Sequence, residues 1–206
     1  MKNLEIDLLL VGRKSGRRVS GTIAENLVRK APCSVLMVPW GVRSFFQKVL
    51  VPIDFTSHSK DALEVATKMA KAAKLDEVSV AHVYDVPLGY HKTGKTYEEV
   101  DEIMRLHAKE HYDAFVHDLD QKAVTFHPIF RLNRHPDEEI LDLAWELPAD
   151  MIVMGSRGMG AVAAALLGSN TEYLIRNSTV PVLAVKEKGQ RVGMLEAFLE
   201  MINPEQ

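Results

Sequence analysis

Four residues late in the chain have the types and spacing to hold an anion. Gly155-Ser-Arg-Gly158 is followed, nine residues on, by Gly168-Ser169. Glycine lets main chain approach a ligand closely and accepts left-handed backbone. If a helix opens at Gly168, the N–H groups of Gly168, Ser169 and Asn170 lack intrahelical partners. Together with the helix dipole they favour negative charge. Such a set suits the phosphates of a nucleotide. The plainer alternative is a turn at Gly155 and Gly158 and a helix capped by Ser169.

Those residues need elements to position them, and the pattern of apolar residues supplies candidates. Lys48-Val-Leu-Val-Pro-Ile53 and Val78-Ser-Val-Ala-His-Val83 read as strands, as do 123–130, Asp150 to Met154 and Val180 to Val185. Between them, Ala62, Leu63, Ala66, Met69, Ala70 and Ala73 fall at helical spacing within 59–74. Further helices are expected over 97–118, over 137–146 behind Pro136, and over 168–177. Strand and helix thus alternate from about residue 48 to residue 186, which predicts right-handed crossovers and a mostly parallel sheet. The expected fold is α/β, a five-stranded doubly wound sheet of order 3-2-1-4-5, with a Rossmann-like crevice where the order reverses. In that order the first strand, ending Val51-Pro-Ile-Asp54, neighbours the fourth, ending at Gly155. The two loops should face each other.

The chain also repeats itself. Asp7-Leu-Leu-Leu-Val-Gly12 matches Asp150-Met-Ile-Val-Met-Gly155, and Gly21 to Arg29 matches Gly168 to Arg176. Each copy ends in an aliphatic run, Ser34 to Val38 and Pro181 to Val185. Residues 1–40 therefore read as the last βαβ unit of the same fold, without its first three strands. The complete domain would be 46–187, with Trp40 to Phe46 as linker. Residues 188–206 end in an amphipathic stretch (Met194, Leu195, Phe198, Leu199, Ile202). It reads as a short helix covering an apolar surface or binding a partner.

Composition narrows the classes. The chain has 206 residues, 47% hydrophobic and 26% charged, with a formal net charge of −3. It is neither disordered nor fibrous by these numbers. Without a basic excess, nucleic acid is not the expected partner. No apolar run approaches the ~20 residues of a membrane span. One cysteine, Cys33, permits no intrachain disulfide, and a cytoplasmic protein is expected. Cys33 itself reads as a buried, inert thiol. His107-Ala-Lys-Glu110-His111 has the spacing of an inverted zinc-protease motif, but a solvated helix face explains it better. His82 reads as a strand residue near the crevice rather than a base. No P-loop, nucleophile elbow or catalytic triad is present.

The residues resemble the universal stress protein family. Its hallmark, Gly-x2-Gly-x9-Gly-Ser/Thr, is met by Gly155, Gly158, Gly168 and Ser169. Lys48 to Asp54, Ala81 to Val83, Asp150 to Arg157 and Glu172 to Val185 add to the likeness. The whole resembles a tandem member whose first domain has lost its front half. The resemblance implies binding of ATP or AMP, with or without Mg²⁺, by a non-catalytic stress-response regulator with weak ATPase activity at most. By position, Asp54 would bind ribose, or serve only as an N-cap or turn carboxylate ahead of a helix. Val83 would meet adenine through its backbone and Pro52 would line the pocket, or both are plain strand residues. Gly155, Gly158, Gly168, Ser169 and Asn170 would surround the phosphates, and Arg157 would face either phosphate or solvent. The first copy is four residues too short in its loop and lacks a preceding aspartate, so no second nucleotide site is expected there. Family members pair through their last strands. The resemblance therefore implies either a homodimer or an intrachain pseudo-dimer joining 34–38 to 182–185. A nucleotide-independent dimerisation module and a nucleotidyl transferase are the competing readings. The first of these gives the half domain the working role. The nucleotide reading predicts that Gly155→Val or Asp54→Ala abolishes binding without unfolding the chain.

Overall fold

A computed structural model describes residues 6–13, 29–42, 46–122, 124–158 and 167–186. The elements in order are β1 (Leu8–Arg13), β2 (Ser34–Pro39), β3 (Val49–Pro52), α1 (Ser57–Ala72), β4 (Glu77–Tyr84), a 3₁₀ turn (Tyr90–Thr93), α2 (Tyr97–Val116), β5 (Thr125–Leu132), α3 (Pro136–Glu146), β6 (Met151–Gly155), α4 (Ser169–Asn177) and β7 (Val182–Val185). The strands form one sheet in the order β1-β2-β7-β6-β3-β4-β5. From β3 onward every neighbouring pair is parallel, as is β1 with β2. Only β2 and β7 run antiparallel, with Val35 opposite Ala184, Leu36 opposite Leu183 and Met37 opposite Val182. The molecule is thus an α/β fold on a mostly parallel sheet.

The central strands are apolar throughout because both sheet faces are covered. Every residue of β3, β6 and β7 is buried. On one face Leu63, Ala66, Met69 and Ala70 of α1 and Tyr112 and Val116 of α2 pack against Val51, Val80 and Val153. On the other, Ile140 and Leu143 of α3 and Leu174 and Ile175 of α4 pack against Leu50, Ile152 and Ala184. The helical spacing that marked 59–74 in the sequence is therefore the buried stripe of α1.

Several boundaries differ from the sequence expectations for local reasons. Helix α1 begins at Ser57, because the Thr56 hydroxyl accepts from the Ser59 N–H and caps it before the apolar stripe starts. Helix α2 ends at Val116 rather than 118. Its start is fixed by a capping box, Thr96 with Glu99. Ser169 does not cap α4. Gly168 holds the capping position in extended backbone, with no side-chain hydrogen bond. The helix expected over the first repeat (21–29) and the amphipathic tail lie largely or wholly outside the described residues.

The step from linker to β3 rests on one carboxylate. Asp150 Oδ1 accepts from the N–H groups of Phe46, Gln47 and Lys48 at 2.9, 3.0 and 3.1 Å. Phe46 stands at φ 73° and is 1% exposed. Asp150→Ala removes the acceptor for three donors. It is expected to cost about 2 kcal/mol in urea denaturation. Cys33 is buried, and burial raises its thiol pKa, so slow reaction with alkylating reagents in the native state follows.

Candidate functional site

The site forms where β3 and β6 lie side by side, with Val49 opposite Met151 and Leu50 opposite Ile152. From β3 the chain passes to α1 on one face of the sheet. From β6 it passes to α4 on the other. A crevice must open between their carboxyl ends. It is a cavity of about 500 Å³, within the ordinary size range of ligand pockets. Pro52, Asp54, Val83, Gly155, Arg157, Gly158, Gly168, Ser169 and Asn170 all line it. His82, read from the sequence as a strand residue near the crevice, lines it too, and Ser59, Pro136, Ile140 and Thr171 line it without having been singled out for it in the sequence.

Each wall has a local cause. Strand β4 runs on to Tyr84, whereas β3 pairs with it only as far as Pro52 opposite Ala81, with Ile53 N–H donating to Ala81 O at 2.8 Å. Val83 therefore lies past the last β3 pairing, where the crevice begins. Asp54 follows β3 directly. Its Oδ1 accepts from the Thr56 N–H at 3.1 Å and from the Thr56 hydroxyl at 2.6 Å. The turn-carboxylate role is thus realised, while Thr56 is the helix cap. The chain turns through Phe55 at φ 62°, a left-handed conformation costing a non-glycine residue about 1–2 kcal/mol.

Opposite Asp54 stands the glycine loop. A Cβ on Gly158 would lie 2.7 Å from Asp54 Oδ2, so glycine is required for the carboxylate to sit where it does. A Cβ on Gly155 would lie 2.9 Å from both the backbone C and O of His58 in α1. Gly155 thus serves strand–helix packing first, and Gly155→Val cannot spare the fold as the sequence reading supposed. At α4, Gly168 N–H donates to Ser156 O at 2.8 Å and the Thr171 hydroxyl donates to Gly155 O at 2.9 Å. These bonds aim the first turn of α4 into the cavity. Gly168, at the cap position, has no side chain to offer its N–H groups.

His82 closes the adjacent wall. Its Nδ1 lies 3.0 Å from Ile53 O. A carbonyl only accepts, so Nδ1 carries the hydrogen. Burial lowers its pKa from 6.5, and the His111 charge adds to this against the Ile53 hydrogen bond and Asp54. The unfolded chain therefore takes up a proton at His82 near pH 6.5 that the folded chain resists. Stability from this group is full above that pH and is lost as the pH falls below it. Urea melts at pH 7.5 and 5.5 should show a smaller acid loss in His82→Asn than in wild type.

The other sequence candidates stay outside. His107, Glu110 and His111 are exposed on α2. Among the described residues no group of three or more His, Cys, Asp or Glu could hold a metal ion. No described helix is long and apolar enough to cross a membrane.

Fold and crevice together define a doubly wound α/β protein with a glycine-walled cavity at its strand carboxyl ends. The pattern describing the universal stress protein family matches residues 45–186. The chain belongs to that family. Universal stress protein MJ0577 of Methanocaldococcus jannaschii is 31% identical over 158 residues, 69% of this chain and 96% of its own. YxiE of Bacillus subtilis is 34% identical over 149 residues, 68% of this chain and 99% of its own. The solved structure of MJ0577 aligns with a TM-score of 0.60 over 71% of this chain and 99% of that one. A universal stress protein structure from Archaeoglobus fulgidus, 26% identical, aligns over 87% of this chain and 62% of its own with a TM-score of 0.60.

Proposed function

We propose that the cavity binds an adenine nucleotide, ATP or AMP, and that occupancy rather than turnover is the protein's output in a stress response. One observation carries the reading. A helix N-terminus with glycine at its cap position and a carboxylate line the same cavity, and Gly158 beside that carboxylate leaves no room for a Cβ. The N–H groups of Ser169 and Asn170 receive phosphate, with Arg157 beside them. Asp54 accepts from ribose hydroxyls. The Val83 backbone meets the adenine edge, with Pro52 and Ile140 as apolar cover. Any Mg²⁺ enters on the phosphates, since no described acidic cluster waits for it.

The bound nucleotide supplies binding free energy. A ligand at 100 times its Kd stabilises the form that binds it by about 2.7 kcal/mol. That bias tells a partner whether the site is filled. Mass spectrometry of small molecules released on denaturation, followed by ATP calorimetry with Mg²⁺ present, tests this. Co-purified ATP or AMP, or micromolar binding, supports the reading. A protein that neither carries nor binds nucleotide overturns it.

A second reading makes residues 1–40 part of a partner domain joined in cis, and the chain an interaction module. The antiparallel β2–β7 seam between two parallel sets supports it. Sedimentation of the purified chain tests it. A monomer whose first 40 residues resist proteolysis fits the pseudo-dimer.

A further inference from the structure

Among the described residues Phe55 carries the one left-handed backbone at the site, between the carboxylate and the helix cap. Strain in a bulky residue persists only where the surroundings over-determine it. The ring shows what does so. Its centroid lies 4.3 Å from His82, tilted 38°, and makes edge contacts with His111 at 5.7 Å and Phe115 at 5.6 Å. His82 is in turn fixed to Ile53 O, one residue before Asp54. The ring is therefore locked against β4 and α2. The preceding side chain, Asp54, reaches the opposite way, to within 2.7 Å of where a Gly158 Cβ would be. A relaxed φ at Phe55 would withdraw the ring or redirect the carboxylate.

The geometry points to Phe55 as a positioning residue for Asp54: ring packing against His82, His111 and Phe115 holds the left-handed turn that aims the carboxylate across the cavity. This rests on the nucleotide reading and adds to it. Preference for the ribose hydroxyls then depends on α2, although α2 itself does not line the crevice. Phosphate affinity, set at α4, does not share that dependence.

The test compares Kd for ATP and for 2′,3′-dideoxy-ATP, which lacks the hydroxyls Asp54 would bind. Phe55→Ala is expected to weaken ATP about tenfold, the scale of one charge-assisted hydrogen bond, and the dideoxy analogue less than about twofold. Phe55→Tyr should restore ATP binding to within about twofold of wild type, since the ring contacts survive. Phe55→Gly guards against a folding artefact. It relieves the strained φ, so its melting temperature should exceed that of Phe55→Ala, yet the ATP preference should stay lost. Equal losses for both nucleotides in Phe55→Ala, or full ATP preference in Phe55→Gly, overturn the positioning role while leaving nucleotide binding intact. A wild-type protein that binds neither nucleotide overturns the nucleotide reading, and one that binds both equally overturns the ribose contact itself.

Discussion

Gly158→Ala is expected to weaken ATP binding about 30-fold and to leave the melting temperature within about 2 °C of wild type. The added methyl would sit 2.7 Å from Asp54 Oδ2, with Asp54 Cγ at 3.8 Å as the next neighbour within reach. Only the tip of one side chain must move, so the core is not disturbed. Moving that tip removes the carboxylate from its place across the crevice. The lost contact is a hydrogen bond to a charged acceptor, worth roughly 2 kcal/mol. The two groups act through each other, so their losses should not add. In an Asp54→Ala background, Gly158→Ala should weaken binding by less than about threefold. Calorimetry on the four proteins of that cycle reads the result. Additive losses would mean that Gly158 touches the ligand independently of Asp54.

The glycine spacing in the sequence points to the cavity because spacing of that kind reports a backbone requirement, and backbone requirements are local. The alternation of strand and helix likewise points to a mostly parallel sheet. What brings Asp54 to Gly158 is the adjacency of β3 and β6, about a hundred residues apart in the chain. That follows from topology once the strand order is assumed. The partners of each glycine do not. Nothing in the residue types says that Gly155 lies on the backbone of His58, whereas Gly158 lies on a side chain. Phe55 is similarly silent, because phenylalanine gives no sign of a left-handed φ that glycine or asparagine would have announced. Ser169 misleads for the opposite reason. A serine after a glycine looks like a cap, but the extended backbone of Gly168 places the serine one residue inside the helix. Thr56 lies ahead of the apolar stripe of α1, so periodicity alone starts that helix too late.

Gly155→Val should behave unlike Gly158→Ala, losing about 3 kcal/mol or more of stability and roughly 6–12 °C of melting temperature without any ligand present. Gly155 ends a strand buried at every position. Its Cβ would press on the carbonyl carbon and oxygen of His58 at 2.9 Å and on the His58 Cβ at 3.1 Å. Those atoms belong to the first turn of α1, and a helix backbone cannot rotate aside as a carboxylate can. Either α1 slides along the sheet or the end of β6 drops. If β6 drops, it pulls on α4 through the bond from the Thr171 hydroxyl to Gly155 O. If α1 slides, it moves the Thr56 cap and with it the two bonds that orient Asp54. Both walls of the cavity shift in either case. Loss of ATP binding in Gly155→Val would therefore report the packing of β6 on α1, and only Gly158→Ala reports the cavity itself. Thermal melts of the two ligand-free variants decide it. A Gly155→Val protein melting within about 2 °C of wild type would show that the strand and helix do not meet as closely as these distances require.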